Sequence, residues 1–284
     1  MKALSDLLHE ICPPDEAARR AARVRWDDLA KPLGSLGLLE QAIGQIAAIT
    51  GSPEVTLERR ALAVLCADNG VVAQGVTQTD SSVTAAVARA LGAGESTVCH
   101  MARPARCQVI PVDMGILDFS GAPGVLNRRV QNGTGDITKG PAMSRQACIQ
   151  AVETGADLAR ELKEQGFHIL ATGEMGIGNT TTASAVVSVL LHLPPRRVTG
   201  RGAGLSDAGL ERKVRAVETA ISVNRPDGND PLDVLAKVGG LDLAGLCGLF
   251  LGGARYGLPV VADGLISSAA ALCAVRLCPA ARGA

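Results

Sequence analysis

Four short apolar runs punctuate the chain after residue 60, at residues 61–67, 109–112, 169–172 and 259–262, and helical patterns separate each from the next. A run that short and apolar at every position suits a strand buried on both faces. Parallel strands need a crossover of a dozen or more residues, and the helical patterns at 83–91, 144–165, 181–193, 207–224 and 241–256 supply it. The alternation predicts an α/β fold with a doubly wound parallel sheet and right-handed crossovers. Hydrophobic residues make up 47 % of the chain but aromatic ones only 2 %. Its core must therefore be built from Ala, Val, Leu and Ile, with Gly and Ala letting helices lie close over the sheet.

The first fifty residues read differently. Residues 15–29 and 38–49 are helical patterns with no strand before them, broken by Lys31-Pro32-Leu33-Gly34-Ser35-Leu36-Gly37. We expect a small helical subdomain over residues 1–55 and a large α/β domain over 56–284. Lys plus Arg equals Asp plus Glu at 28 each. With no net positive field and few stacking aromatics, a nucleic-acid partner is not expected. The eight cysteines form no CxxC pair and sit mostly in apolar runs, as buried reduced thiols of a cytoplasmic protein would. The four histidines lack metal-ligand spacing. The N-terminus carries no secretion signal, and the apolar stretches near the C-terminus are broken by Arg255, Pro259 and Asp263, so no membrane insertion is expected.

Each expected strand ends in an acid followed closely by glycine: Asp68-Asn69-Gly70, Asp113-Met114-Gly115, Glu174-Met175-Gly176 and Asp263-Gly264. Ligands of open parallel sheets bind outside the carboxyl ends of the strands, so four acids are expected along that edge. Any one of them could equally end a strand or cap a helix. The segment GEMGIGNTTT (173–182) is the strongest candidate. Its glycines leave room for a ligand, and Asn179 or Thr180 can open a helix whose N-terminal amides favour a phosphate. It has neither the GKS/GKT of a P-loop nor GxGxxG spacing. A second glycine-rich loop, 199–205, precedes a helix carrying Lys213. Two such helix starts suggest a nucleotide phosphate without identifying the nucleotide. The long loop 115–140, with Asn132-Gly133-Thr134-Gly135, is also expected to be functional.

Several of these segments resemble the nicotinate-nucleotide:dimethylbenzimidazole phosphoribosyltransferase family. They are KPLGSLG (31–37), CADNGVVAQGVTQ (66–78), KGPAMS (139–144), GEMGIGNTTTASAV (173–186), TGRGAGL (199–205) and VVADGLISSAAAL (260–272), in the family's order. The resemblance implies a Rossmann-like parallel sheet with a small helical domain, acting as a homodimer. It implies transfer of the phosphoribosyl group of nicotinate mononucleotide to 5,6-dimethylbenzimidazole, giving α-ribazole 5′-phosphate and nicotinate. No cofactor and no metal are implied. Carried over by motif, Glu174 would lie beside the reacting ribose. Gly176, Gly178, Asn179 and Thr180 would surround the nucleotide, with Gly202 and Lys213, and Asp263 and Gly264 would line the same site. Thr77 stands in the segment that resembles the benzimidazole loop, which departs from the family's usual Pro-Gln pair at Asp80-Ser81.

The resemblance puts the proton-abstracting glutamate in a Gly-Glu-Gly type motif beyond the last strand, and these 284 residues contain none there. No residue is assigned that role. The chain as given is expected to turn over slowly, apparently incomplete at its C-terminus, with Leu39, Ile43 and Ile46 left uncovered. A noncatalytic benzimidazole or α-riboside binder is the alternative, and a magnesium site formed by the strand-end acids is a third reading.

Overall fold

A computed structural model describes residues 3–283. The chain begins with α1 (Leu4–Glu10), α2 (Glu16–Asp27) and α3 (Leu38–Thr50). β1 (Arg60–Ala67) leads through a 3-10 turn at Gly70–Gln74 to α4 (Ser82–Ala93), α5 (Thr97–Ala102), β2 (Cys107–Gly115) and the short β3 (Leu126–Asn127). Then come α6 (Arg145–Glu164), β4 (Ile169–Met175), α7 (Asn179–Leu190), α8 (Pro195–Val198), α9 (Asp207–Asn224) and α10 (Pro231–Val238). α11 (Leu241–Tyr256), β5 (Val260–Val261) and α12 (Gly264–Leu277) complete the fold.

The five strands form one sheet in the order β3-β2-β1-β4-β5, every pair parallel. The chain moves outward from β1 to β2 and β3, then returns to pair β4 with the other side of β1. The strand order therefore reverses between β1 and β4, and the crevice beyond their carboxyl ends is where such sheets bind ligands. Asn69 and Gly70 follow β1 there, and Glu174 lies on the last turn of the pleat in β4, opposite Leu65.

β1 shows why its whole sequence is apolar. Ala61, Ala63, Leu65 and Ala67 belong to the main core under α6 and α11, while Val64 and Cys66 face a second cluster with Ala88, Leu91, Cys99 and Phe119 under α4 and α5. Side chains alternate across a strand, so burial on both faces requires apolar residues at odd and even positions alike. The lack of aromatics is answered by close helix packing. A Cβ on Gly155 of α6 would stand 1.9 Å from the Gly245 carbonyl oxygen of α11, and one on Gly248 would stand 1.9 Å from that of Val152. These helices meet backbone to backbone.

Leu4, Leu7 and Ile11 join the main core, so α1 packs with the sheet-flanking layer, whereas α2 and α3 pair chiefly with each other. Leu39 is 55 % exposed, while Ile43 and Ile46 are half-buried, Ile43 beside Trp26 and Leu29. Among the described residues no helix is long and apolar enough to cross a membrane.

Five helices have no counterpart in the sequence expectations: α1, α5, α8, α10 and α12. α12 (GLISSAAALCAVRL) is apolar or small at nearly every position, so the face it buries through Ile266, Ala269, Ala270 and Cys273 is not set off in sequence by a polar one. β3 contributes only two residues inside the glycine-rich loop, too short for any periodic signal.

Candidate active site

Gly178 takes a left-handed conformation (φ 95°) and turns the chain from β4 into α7. No side chain caps the start of α7, which leaves its first-turn dipole directed at the crevice. The turn is also confined. A Cβ on Gly176 would lie 2.4 Å from the Ala67 carbonyl oxygen, and one on Gly178 would lie 3.0 Å from the Val72 side chain. Glycine is needed at both positions for β1 and β4 to close the crevice floor.

Glu174 is half-buried, and its Oε2 accepts a hydrogen bond from Nδ2 of Asn179. Burial raises the Glu174 carboxyl above its ordinary range; the Asn179 bond opposes the rise and the nearby Asp263 charge adds to it. Asp263 is exposed at the β5–α12 corner, and Gly264 follows it with φ 74°. One residue beyond Asn179, Thr180 Oγ1 accepts from Nζ of Lys213 at 2.7 Å. Lys213, on α9, is 1 % exposed, and burial lowers its ammonium to about 8. Gly202 closes the group: a Cβ there would meet Thr180 Oγ1 at 3.1 Å and Lys213 Nζ at 3.2 Å. Asp263, Glu174, Asn179, Thr180, Lys213 and Gly202 thus form one continuous set, a carboxylate at one end and a buried ammonium at the other.

Thr77 lies just after the 3-10 turn and donates to the Thr79 carbonyl at 2.7 Å. Its neighbour Gln78 donates to the Gly204 carbonyl, tying this loop to the one that carries Gly202. Asp80 accepts from the Ser82 amide at 2.9 Å and so anchors the start of α4.

Three expectations are corrected by the structure. The four strand-end acids do not share an open edge. Asp68 and Asp113 are each only 2 % exposed. Asp68 accepts from the Leu117 amide at 2.8 Å, while Asp113 accepts from the Ile116 amide at 2.9 Å and pairs with Arg129 at 3.0 Å. They tie down loops; only Glu174 and Asp263 face the site. Among the described residues, no three His, Cys, Asp or Glu side chains come together as a metal site, which removes the support for the magnesium reading. The second glycine-rich helix start is not an open anion site either, because Ser206 caps α9 by accepting from the Gly209 amide at 3.2 Å. Its contribution to the group is Gly202 and Lys213.

The long loop 115–140 braces the site from behind. Thr134 Oγ1 accepts from the Gly70 amide at 3.2 Å, and Asp136 accepts from Gln74 at 2.7 Å. The residue that sequence reading missed is Asp242, fully buried in the first turn of α11, whose Oδ2 accepts from Nδ2 of Asn179 at 2.9 Å. A lone acid in the otherwise apolar stretch LDLAGLCGLF was its one signal, since unpaired acids are seldom fully buried without a reason.

A carboxylate at the switch point, an uncapped helix start and a buried ammonium suit a sugar phosphate. The class itself comes from the comparisons: a phosphoribosyltransferase family model matches residues 11–284. The nicotinate-nucleotide–dimethylbenzimidazole phosphoribosyltransferase of Ruminiclostridium cellulolyticum is 47 % identical over 261 residues, covering 92 % of this chain and 74 % of that protein. The Acetivibrio thermocellus protein of the same name is 45 % identical over 279 residues, 98 % of this chain and 78 % of its own length. The crystal structure of CobT from Thermus thermophilus superposes with a TM-score of 0.88 at 39 % identity, covering 94 % of this chain and 80 % of that one. The chain belongs to the nicotinate-nucleotide–dimethylbenzimidazole phosphoribosyltransferase family.

Proposed function

We propose that this protein transfers the phosphoribosyl group of nicotinate mononucleotide to 5,6-dimethylbenzimidazole, releasing nicotinate and forming α-ribazole 5′-phosphate for the lower ligand of cobalamin. The observation that carries the reading is the run of contacts from Glu174 through Asn179 and Thr180 to Lys213, which brings a carboxylate and a buried ammonium to one strand-to-helix turn. The phosphate would sit on the start of α7, between Thr180, Lys213 and Gly202. The anomeric carbon would then face Glu174. Nicotinate leaves from a pyridinium as a neutral ring nitrogen, so its departure needs no general acid. Positive charge develops at the anomeric carbon as that bond breaks, and the Glu174 carboxylate stabilises it. The unprotonated ring nitrogen of the acceptor attacks the opposite face and its other ring nitrogen gives up its proton to solvent, which turns a β-linked donor into an α-linked product.

Thr77 stands in the loop that Gln78 ties to Gly204, and by its resemblance to the family's benzimidazole loop it would line the acceptor base. We propose that the small helical subdomain expected over residues 1–55 is carried by α2 and α3, with α1 packed into the main core instead, and that the protein assembles as a homodimer. The exposed apolar side chains of that subdomain support the assembly, Leu33 and Leu38 being 74 % and 79 % exposed. Eight unpaired cysteines support a reducing, cytoplasmic setting. Nothing in the comparisons supports a noncatalytic binder.

Release of nicotinate from nicotinate mononucleotide, dependent on dimethylbenzimidazole, is the direct assay. Glu174→Gln should lower kcat by about a hundredfold or more with the fold intact. An unchanged kcat would remove Glu174 from the reaction.

A further inference from the structure

Asp242 is the most confined polar group beside the site. Its Oδ1 accepts from the Leu243 amide at 3.0 Å, and its Oδ2 from Asn179 Nδ2 at 2.9 Å. The same Asn179 nitrogen donates to Glu174 Oε2. An amide nitrogen has two hydrogens, and here each has a carboxylate. Asn179 therefore cannot turn over, because its Oδ1 would then face two acceptors. Glycines leave Asp242 its space: a Cβ on Gly176 would lie 2.8 Å from Oδ2, and one on Gly240 would lie 2.5 Å from Oδ1. A carboxylate buried without a cation is costly, so a purely space-filling role would be served better by an apolar residue.

We propose that Asp242 is a positioning residue for the transfer, fixing the Glu174 carboxylate through the Asn179 amide so that it points at the reacting ribose. This rests on the reading of Glu174 above. Asp242 itself is sealed from the crevice and acts only through Asn179. An asparagine at 242 has the same shape but can serve only one of its two donors. With its oxygen toward Asn179, its own NH2 would face the Leu243 amide; with its oxygen toward Leu243, it would face Asn179 donor to donor.

The titratable groups around Asp242 are Glu174 from β4 and Cys66 from β1, with Asp263 acting on Glu174 from the β5–α12 corner. Burial holds the Cys66 thiol up at about 12, outside the working range. Burial likewise raises Asp242, to about 7, with the Asn179 bond opposing and the Glu174 charge adding. Asp242 is ionised, and accepts from Asn179 in full, only above that pH.

The test compares D242N, N179A, the D242N/N179A double variant and E174Q by nicotinate release across pH 6 to 9. We expect D242N to lower kcat by about tenfold while KM for nicotinate mononucleotide stays within about twofold. The fall of wild-type kcat as pH drops through about 7 should vanish in D242N. The double variant should be no slower than N179A, because both act through one amide. A wild-type kcat in D242N beside a crippled E174Q overturns the positioning role and leaves Glu174 standing. A loss in D242N that adds fully to that of N179A, with the pH profile unmoved, overturns it as well. A fully active E174Q removes Glu174 and the proposal together. A measurement on the unmodified protein needs neither turnover nor a folded variant: the Asn179 side-chain NH2 resonances of 15N-asparagine-labelled protein should shift as pH crosses about 7. Resonances that stay still through that range contradict the proposal.

Discussion

Replacing Lys213 by Met should make the empty protein more stable and unable to hold its substrate. Folding buries the ammonium almost completely and lowers it from 10.5 to about 8, and its one hydrogen bond is to the neutral Thr180 hydroxyl. At about pH 7 both folded and unfolded chains carry the proton, so the full penalty is present. At roughly 1.4 kcal/mol per tenfold change in acidity that penalty is about 3 kcal/mol, or about 2–3 after screening. Methionine fills similar volume without the charge, and losing the Thr180 bond costs about 1 kcal/mol. K213M should therefore be about 1–2 kcal/mol more stable in urea unfolding near pH 7. Between about 8 and 10.5 the unfolded wild-type chain binds more protons than the folded one, so wild-type stability rises with pH and the advantage of K213M closes. Nicotinate mononucleotide should raise the melting temperature of the wild type and leave K213M unmoved. Its affinity for the wild type should fall about tenfold from pH 7 to 9, as the ammonium loses its proton. A K213M protein less stable than wild type near pH 7, or one still stabilised by the nucleotide, would refute this account of a buried cation kept for a phosphate.

The other predictions address separate parts of the fold. Thr77→Ala should raise KM for dimethylbenzimidazole and leave KM for nicotinate mononucleotide unchanged in initial-rate assays, because its hydroxyl holds the turn to the Thr79 carbonyl in the loop proposed to line the acceptor base. Gly248→Ala should destabilise the protein by about 1–3 kcal/mol or more in thermal unfolding, since its methyl would stand 1.9 Å from the Val152 carbonyl oxygen and force α6 away from α11. Leu38→Glu, on the exposed face of α3, should shift the protein toward monomer in light scattering while leaving its melting temperature unchanged.

The sheet was legible in the chain because burial on both faces leaves a strong mark. Residues 61–67 are apolar at every position since Leu65 and Cys66 face different cores. The long helices α6, α9 and α11 were legible by length and by caps such as Ser144, which accepts from the Ala147 amide at 3.1 Å. α12 left no mark, being apolar on all sides, and β3 was too short to have a period. The site divided in a similar way. Gly176, Gly178 and Asn179 stood out in the chain as a glycine-rich strand-to-helix turn, a pattern that a tight structural turn gives equally, and the structure places them where β4 turns into α7. Asp68 and Asp113 carried the same acid-and-glycine ending yet became loop fasteners, a distinction made by Leu117, far along the chain from Asp68, and by Arg129, across an irregular loop from Asp113, together with the local Ile116 amide. Asp242 was hidden because its partners, Asn179 and the two glycines that make room for it, come together only in the folded chain.

A crystal structure with nicotinate mononucleotide bound would test the central assignment most directly. The account predicts the phosphate against Thr180, Lys213 and Gly202 at the start of α7, with the ribose anomeric carbon beside Glu174. Density for the nucleotide at the far end of α7 instead, in the groove by Ser188, His192 and Glu218, would contradict it.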